Sequence, residues 1–381
     1  MGNGAVQHCK KFELGMHIIY IIPSLIKAGP ENVLYDIVSN LDLNKYEVTI
    51  ITLKKTSGIR SRLADFKVLN IRIVECTFNN LQLELFPLYV ARKIKKLLPP
   101  LTDNCIVHAH CYHPVLICSY FRNYKKIVTI HNISIEDFSM LKGKMLGRYM
   151  SFRFNHALKE FSRCVVISDS MYEYYKIYCS ELPTKINNGV SDDKNLTSEY
   201  RALEQEKKMI KRKFILVSGR LSKRKNVHFI ISELKKLTRD DFVCQFVGLG
   251  EEMDSCKNQI GMDERFRILG YKENVQDYLA VTDLYISASL SEGFPLSVIE
   301  ALMMGIPSFL SAIPPHIEIA DNMNVDDIKL FELKDGCLCE LLDNWIDRLQ
   351  QSSVISNRAR ELYSAETMAN KYMALYSSIK E

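Results

Sequence analysis

The chain has 381 residues, 47% of them hydrophobic and 25% charged, which excludes a disordered chain or a collagen-like fibre and, at this length, predicts two domains. Residues 1–190 hold 25 Lys and Arg against 15 Asp and Glu, whereas residues 191–381 hold 25 against 30. The first half is therefore suited to an anionic partner, but the whole chain is not basic enough for a dedicated nucleic-acid binder.

In the first half, apolar runs of strand length alternate with amphipathic stretches, after a polar segment at residues 1–15 that we expect to be a leader or a disordered tail. The predicted strands are Met16–Ile22, Val48–Leu53, Val68–Val74, Ile106–His108, Lys126–Ile130 and Cys164–Ile167. The predicted helices are Glu31–Leu41, Leu88–Leu98, Leu146–Phe161 and Asp169–Tyr178. Uninterrupted apolar runs are typical of strands covered on both faces, so this alternation predicts a parallel sheet.

After a polar stretch at Ser191–Lys213, the same alternation restarts. The predicted strands are Phe214–Ser218, Val243–Val247, Phe266–Leu269, Leu284–Ser287 and Pro307–Ser311, and the predicted helices are Val227–Leu237, Glu251–Gln259, Gln276–Val281 and Ser297–Met304. We therefore predict an α/β fold of two doubly wound, Rossmann-like domains, at 16–190 and 191–363, that face each other across a cleft. The final amphipathic segment, 364–381, is expected to pack back on the first domain.

Histidines cluster where the fourth predicted strand ends, at His108, His110 and His113, beside Cys111. Strand alternation puts His108 and His110 on one side and Cys111 on the other. This favours a strand end that lines the cleft, with a metal site as the alternative. The 11 cysteines contain no Cys-x-x-Cys pair, and we expect them to be small buried side chains rather than a disulfide framework.

Two loops of the second half predict a site for a nucleoside diphosphate. The segment at residues 291–302 follows a predicted strand and opens a helix, with Glu292 and Glu300 eight positions apart. Free N–H groups at a helix start attract anions, but the helix dipole adds only ~0.3–1 kcal/mol, so cations must contribute. Gly219, Arg220 and Lys225, which follow the first strand of this half, offer a close backbone approach and two cations.

Each part of this hypothesis has a structural alternative, and the basic run after Gly219 is also typical of a solvated turn. Ser297 to Glu300 also matches a capping box, which would give Glu300 a structural role. No Gly-x-Gly-x-x-Gly follows the first strand and no P-loop motif occurs, which argues against an NAD enzyme or a P-loop NTPase.

Taken together, these motifs resemble those of family 4 retaining glycosyltransferases (glycosyltransferase group 1, GT-B fold) of the surface-polysaccharide type. The resemblance rests on the Glu-x7-Glu segment, Gly219-Arg220 with Lys225, Phe246–Glu251, Leu269–Tyr271, a histidine loop at Thr129–Asn132, a strand end at Val166–Ser170 and a hinge-like motif at Ile186–Val190. The loop at Lys27–Asn32 departs from the family, because it has one glycine, Gly29, where a Gly-Gly pair and a following arginine are usual.

The resemblance implies a role for each matched residue. Arg220 and Lys225 would neutralise the departing diphosphate, Glu300 would hold the ribose hydroxyls, and Glu292 would grip the sugar. His131 would lie across the cleft near the reacting sugar, and with Glu292, Arg220 and Lys225 it forms the implied catalytic set. Further donor contacts are implied for Gly29, Gly219, Tyr271, Gly293, Phe294, Pro295, Leu296 and Ser297, and acceptor or cleft contacts for His110, Ser168 and Asn188.

The implied reaction moves a hexose or N-acetylhexosamine from a nucleotide-sugar to a saccharide acceptor in bacterial O-antigen, capsule or exopolysaccharide synthesis. Fixed cations that stabilise the leaving group make a metal dispensable, so we expect no cofactor, and we favour a UDP-sugar over a GDP-sugar as donor. No covalent nucleophile is evident. We expect a front-face retaining step in which a phosphate oxygen takes the acceptor's proton.

The basic, partly apolar stretches at Arg92–Leu98 and Lys142–Arg153 suit an anionic membrane surface. We expect a polyprenyl-diphosphate-linked acceptor and a cytoplasmic protein that docks peripherally at the inner face of the cell membrane, although solvated helix faces would explain the same pattern. No nucleic-acid partner is expected. The alternative functions are a nucleotide-sugar epimerase or phosphorylase of GT-B fold and a non-catalytic sugar-binding protein.

Overall fold

A computed structural model describes residues 15–58, 61–100, 104–192 and 195–380. It confirms the predicted α/β fold with two doubly wound parallel sheets. Apart from Gly15, the segment predicted as a leader or tail lies outside the described residues. Within those residues, no helix combines the length and the apolar composition needed to cross a bilayer.

The first sheet has seven parallel strands among the described residues, in the order β3-β2-β1-β4-β5-β6-β7. The strands are β1 (Met16–Ile22), β2 (Tyr46–Thr52), β3 (Arg72–Glu75), β4 (Cys105–His110), β5 (Lys125–Ile130), β6 (Arg163–Val166) and β7 (Thr184–Lys185). The helices are α1 (Gly29–Ser39), α2 (Leu63–Val68), α3 (Asn80–Leu85), α4 (Pro87–Lys95), α5 (Tyr112–Cys118), α6 (Ser134–Lys142), α7 (Lys144–Leu158) and α8 (Asp169–Tyr175).

Strand β1 shows why its sequence is a continuous apolar run. Ile18 and Tyr20 enter the core beneath α1 and the last helix, whereas Ile19 and Ile21 enter the core on the opposite face of the sheet. All four side chains are fully buried. A strand covered on both faces favours apolar side chains at every position, so the alternation that marks a half-exposed strand is lost.

The second sheet has six parallel strands in the described part of the chain, in the order β10-β9-β8-β11-β12-β13. They are β8 (Lys213–Ser218), β9 (Phe242–Val247), β10 (Phe266–Gly270), β11 (Leu284–Ser287), β12 (Ser308–Ser311) and β13 (Ile328–Phe331). The helices are α9 (Ser198–Ile210), α10 (Val227–Lys235), α11 (Met253–Ile260), α12 (Gln276–Ala280), α13 (Leu296–Met303), α14 (Pro314–Met323), α15 (Cys337–Trp345), α16 (Ser353–Tyr363) and α17 (Ala365–Lys380).

The first sheet with its helices is called the first unit, and the second sheet with its helices is called the second unit. The chain crosses between the two units at two neighbouring points. Val190 accepts a backbone hydrogen bond from Ala365 and donates one to Tyr363, so the outgoing and returning segments are paired. A Cβ on Gly189 would lie 2.4 Å from the carbonyl oxygen of Ser364, which only a glycine allows. Beyond this crossing α17 lies against the first sheet, where the Tyr376 hydroxyl is 2.9 Å from that of Tyr20.

Most predicted elements of the two sheets are confirmed within about two residues, but the strand predicted at Val68–Val74 is wrong at its start. Helix α2 runs to Val68, which is largely exposed, and the chain then turns through Asn70 in a left-handed conformation before β3 begins at Arg72. The turn separates two apolar segments that look continuous in the sequence.

The polar stretch at Ser191–Lys213 contains a helix that the sequence pattern does not reveal. In α9 the Thr197 hydroxyl caps the first turn by accepting from the backbone N–H of Glu199, and Leu203 is its buried residue. A helix with so narrow a buried face lacks a clear apolar period. The pattern also leaves two strands, β7 and β13, and several helices unpredicted, namely α2, α3, α5, α6 and α14–α16. The ten described cysteines are free thiols, some buried and some half-buried.

Candidate active site

The carboxyl ends of the two sheets meet at a cleft of about 1040 Å³. Most of the residues that the sequence singles out line it. From the first unit these are Gly29, His131 and Asn188; from the second they are Gly219, Arg220, Lys225, Tyr271, Gly293, Phe294, Pro295, Leu296, Ser297, Glu292 and Glu300. This convergence follows from the topology, because ligands of open α/β sheets bind beyond the carboxyl ends of the strands.

Two residues predicted to line the cleft, His110 and Ser168, lie behind its surface instead. His110 is fully buried, and its Nδ1 is 3.1 Å from Nε2 of His131. Ser168 is fully buried because α8 begins at the next residue and folds over it, and its hydroxyl contacts that of Ser170 at 3.2 Å. Strand alternation gives the side of the sheet that a side chain faces, but not its depth.

The idea that the histidine cluster lines the cleft is also wrong for His108. Its Nδ1 is 2.8 Å from the Tyr376 hydroxyl on α17, and its Nε2 is 2.8 Å from Oγ1 of Thr129. His108 is therefore a core histidine that joins the last helix to the first sheet. Among the described residues, no three His, Cys, Asp or Glu side chains are arranged to hold a metal ion.

The centre of the second-unit wall is a buried charge cluster around Glu292. The carboxylate of Glu292 lies 2.7 Å from Nζ of Lys225 and 3.2 Å from Nη1 of Arg224, and it accepts a hydrogen bond of 2.8 Å from the Ser289 hydroxyl. Burial acts to raise the pKa of Glu292, but attraction to Lys225 and Arg224 outweighs it and lowers the pKa to about 2. Glu292 is therefore ionised at neutral pH and holds both cations at the cleft.

Glu300 lies on the same wall in a different electrostatic state. Desolvation raises its pKa to about 7, and the charges of Lys225 and Arg62 only partly offset that increase. The capping box does not form, because α13 begins at Leu296, Pro295 is its N-cap, and no side chain caps it. Glu300 is thus a half-buried carboxyl group that faces the cleft and titrates near neutral pH.

Further cations at the cleft come from separate loops, and Arg220 and Arg62 are two of them. The Arg220 guanidinium is about two-thirds exposed and pairs with Glu251 at 3.1 Å. Arg62, in the first unit, donates to Oδ1 of Asn32 at 2.8 Å and stacks over the ring of Tyr35 at 4.0 Å. An exposed pair such as Arg220–Glu251 has little net stability, so an anionic ligand can replace Glu251 at small cost.

The two units touch directly beside the charge cluster. A Cβ on Gly293 would lie 1.9 Å from the carbonyl oxygen of His131, a contact that only glycine permits. Asn188 donates a hydrogen bond of 3.0 Å to the carbonyl oxygen of Phe294. The histidine loop and the Glu292 loop are therefore held against each other, and His131 lies opposite the second-unit wall.

Sequence reasoning gave no role to Arg224 and Arg62. Arg224 directly precedes Lys225 in a short 3₁₀ turn, so its place in the quoted motif was a usable signal. Arg62 precedes α2 in a loop without a recognisable motif, and only the fold brings it to the cleft. Arg224 sharpens the electrostatic contrast between the two carboxyl groups by lowering the pKa of Glu292, whereas Arg62 reduces it by partly offsetting the raised pKa of Glu300.

Comparison with known proteins relates the chain to glycosyltransferases. The family model described as glycosyl transferases group 1 matches residues 201–327, and that of glycosyltransferase family 4 matches residues 28–194. The O-antigen biosynthesis glycosyltransferase WclY of Escherichia coli is 24% identical over 375 residues, covering 96% of this chain and 99% of that protein. An α-1,3-galactosyltransferase of Escherichia coli, named for UDP-Gal and GlcNAc-diphosphoundecaprenol, is 26% identical over 240 residues, 58% of each chain.

Solved structures share the whole architecture. Anabaena HepE in complex with UDP-glucose has a TM-score of 0.75 at 19% identity and covers 95% of this chain and 100% of its own. The sucrose-phosphate synthase of Thermosynechococcus elongatus has a TM-score of 0.77 at 15% identity, over 96% and 99%. With two family models that between them span most of both sheet units, this chain belongs to the family 4, group 1 glycosyltransferases of GT-B fold.

Proposed function

We propose that the protein is a retaining glycosyltransferase that moves a hexose or N-acetylhexosamine from a nucleotide-sugar to a saccharide acceptor in bacterial O-antigen, capsule or exopolysaccharide synthesis. The observation that carries the proposal is the cluster of Glu292 with Lys225 and Arg224, set where α13 begins. Cations and the amides of a helix start, fixed on one wall, suit a group that gains negative charge as it leaves.

The proposed donor is a UDP-sugar. The Anabaena HepE structures hold UDP, UDP with glucose, or UDP-glucose, which supports this choice over a GDP-sugar. Lys225 and Arg220 would contact the diphosphate, Glu300 the ribose hydroxyls, and Tyr271 the base. Glu292, Gly293 and the backbone through Ser297 would hold the sugar, while Gly29 approaches from the first unit.

The proposed step needs neither a metal nor a covalent nucleophile. Arg220 and Lys225 stabilise the diphosphate as the bond to the sugar breaks, and the acceptor hydroxyl attacks from the same face. An oxygen of the departing phosphate takes the hydroxyl proton, and the configuration at the sugar carbon is retained because attack and departure occur on the same face. The ion pairs already in place at Glu292 reduce the reorganisation that this charge development requires.

The proposed acceptor is a polyprenyl-diphosphate-linked saccharide, bound by the first unit. The name of the galactosyltransferase relative includes GlcNAc-diphosphoundecaprenol, which supports an acceptor of this class. Asn188 and the histidine loop would border its sugar, because they line the cleft opposite the donor wall.

A lipid-linked acceptor requires approach to a membrane, and the first unit has a suitable surface. The exposed large apolar side chains of α6 and α7 are Met140, Leu141, Met145, Leu146, Tyr149 and Phe152, among Lys142, Lys144 and Arg148. Leu81, Leu85, Phe86, Leu88 and Tyr89 of the α3–α4 region are exposed as well. Apolar side chains beside basic ones favour an anionic bilayer, so we propose peripheral docking at the inner face of the cell membrane.

The central test is a thermal-shift series with UDP, GDP, ADP and their sugars, because a ligand that binds only the folded protein raises its melting temperature. We expect UDP and a UDP-sugar to give the largest shifts. An assay with donor alone and then with a lipid-linked saccharide follows. Conversion of the donor without acceptor would point to an epimerase, and no shift with any nucleotide would contradict the proposal.

Docking is tested by flotation with anionic vesicles at low salt. Met145→Glu with Phe152→Glu should abolish flotation, since these side chains are 90% and 70% exposed. Met262→Glu is the matched control, because Met262 is 98% exposed in the second unit. Equal flotation of all three proteins, or none for the wild type, would contradict docking through α7.

A further inference from the structure

Three neighbouring histidine rings, tilted by 38° and 31° from one to the next, lie in a row that leads from the core of the first unit to the cleft. The ring centres of His108 and His110 are 4.5 Å apart, and those of His110 and His131 are 5.3 Å apart. The first two are fully buried, while His131 lines the cleft. Burial lowers the pKa of His131 to about 4 and that of His110 well below its ordinary value, so both rings are neutral at pH 7.

The three rings of this row differ in their hydrogen bonding. Both nitrogens of His108 have partners, in Tyr376 and Thr129. His110 has one partner, because its Nδ1 contacts Nε2 of His131 at 3.1 Å, while its Nε2 is buried without a partner among the described residues. Because Nε2 of His110 has no partner, it determines which of the two rings donates the hydrogen bond between His110 and His131.

A neutral imidazole carries one N–H, so the contact between His110 and His131 has two possible directions. If the proton of His110 were on Nε2, a buried N–H group would have no acceptor. If it is on Nδ1, His110 donates to His131 and only an unused lone pair is buried. Unpaired N–H groups are the rarer of the two in protein interiors, so the second arrangement is favoured.

We propose that His110 is a positioning residue, whose Nδ1–H holds His131 in the tautomer that presents an Nδ1–H donor to the cleft. The tautomer of a histidine is set by the hydrogen bond that its other nitrogen makes. Nδ1 of His131 makes no hydrogen bond to the described residues, so it is available to a ligand. Resting on the proposed function, the inference is that His131 donates to a sugar oxygen and is not the base that takes the acceptor's proton.

The direct test is nitrogen NMR of the full-length protein labelled with ¹⁵N-histidine, in which long-range proton–nitrogen correlations distinguish the two tautomers. Comparison with His131→Gln assigns the His131 signals, and His156→Gln, a surface substitution, should remove one unrelated set. We expect wild-type His131 to be protonated at Nδ1. Protonation at Nε2 would overturn the proposal, and this measurement requires no catalytic activity.

Two variants at the positioning residue extend the test. His110→Asn keeps an N–H donor near the Nδ1 position and should preserve the Nδ1–H tautomer of His131. His110→Phe removes the donor and should shift His131 toward the Nε2–H form. An unchanged tautomer in His110→Phe would overturn the proposal, and if that variant does not fold, the wild-type and His110→Asn spectra still decide.

Kinetics separates this inference from the proposed function. Loss of one oriented neutral hydrogen bond should lower kcat of His110→Phe by roughly 3- to 10-fold with little change in donor KM. His110→Asn should retain more of the activity than His110→Phe. Equal losses in both variants would contradict the positioning role, whereas a wild-type protein that transfers no sugar would contradict the proposed function and leave the tautomer result standing.

Discussion

The two walls of the cleft, one from each unit, keep their buried titratable side chains in opposite charge states. On the first-unit side, His131 at the cleft and His110 behind it are kept neutral by burial and hydrogen-bonded to each other. On the second-unit wall, Glu292 is kept ionised by Lys225 and Arg224. The first unit also brings cations such as Arg62 to the cleft, but the buried ion pairs lie on the second unit, so we expect leaving-group charge to be stabilised mainly by the second unit.

Removal of a second-wall cation should have the largest effect on turnover. We expect Arg220→Ala to lower turnover about 10²- to 10³-fold, the usual cost of losing a group that stabilises developing charge. Its stability should change by less than about 1 kcal/mol, because Arg220 and its partner Glu251 are both largely exposed. Steady-state kinetics and denaturant unfolding measure the two quantities.

Lys223→Ala is the matched control for that prediction. Lys223 belongs to the same basic turn but is exposed and does not line the cleft. Its variant should keep wild-type turnover. If Arg220→Ala also keeps it, the charged wall does not act on the departing group through Arg220.

Disrupting the contact between the two walls should have the next largest effect on turnover. In Gly293→Ala the new Cβ would meet the carbonyl oxygen of His131 at 1.9 Å, so the two loops must separate. A displacement of about 1 Å between reacting groups can cost roughly 10²-fold in rate. We therefore expect kcat to fall by about that factor while the melting temperature falls only slightly. Wild-type kinetics in this variant would mean that the two walls need not touch during the reaction.

The division into two walls was only partly predictable from sequence. The continuous apolar runs of β1 and β8 reveal a buried parallel sheet because both faces of each strand must be apolar. The loops after such strands can then be assigned to one edge, which explains why Lys225, Glu292 and Glu300 could be brought together in advance.

The depth of a side chain and contacts between distant loops were not predictable. His110 has the strand position of a cleft residue, yet it is fully buried, and its neighbour His131, with a ring centre 5.3 Å away, lines the cleft instead. Arg62 is distant in sequence from the other cleft cations, and nothing local marks it. Alternation and motif spacing are local quantities, whereas both of these facts depend on how loops of different strands pack.

Glu300, on the second-unit wall, allows donor binding to be tested separately from stabilisation of the leaving-group charge. A ribose diol donates to the ionised carboxylate, and the free group has a pKa of about 7, so donor KM should fall as pH rises through 7. Glu300→Gln should raise donor KM roughly 10-fold, as expected for one or two hydrogen bonds to a charged group, and should remove this pH dependence.

Stability tests the same residue independently. Because the pKa of Glu300 is raised by folding, its ionisation favours the unfolded chain, and the stability present below about pH 4.5 is lost as pH rises through 7. Glu300→Gln removes that loss, so at pH 8 the variant should be at least as stable as the wild type. Destabilisation at pH 8 would show that the carboxylate has a structural role instead.

The smallest expected effect concerns Gly29, the single glycine of the first-unit loop. A Cβ there would meet no atom within 4 Å, and its backbone is not left-handed, so the fold does not require a glycine. Gly29→Ala should keep or slightly raise stability, since it restricts the unfolded chain by about 0.4–1 kcal/mol.

If Gly29→Ala folds as expected, any change in the kinetics of this variant must come from contact between the added methyl group and a substrate. If the donor or acceptor passes close to this loop, the added methyl group should raise one KM by about 2- to 5-fold, which corresponds to roughly 0.4–1 kcal/mol. The substrate whose KM rises identifies what Gly29 faces. Unchanged KM values for both would mean that the first-unit wall meets the substrates through the histidine loop and not through the start of α1.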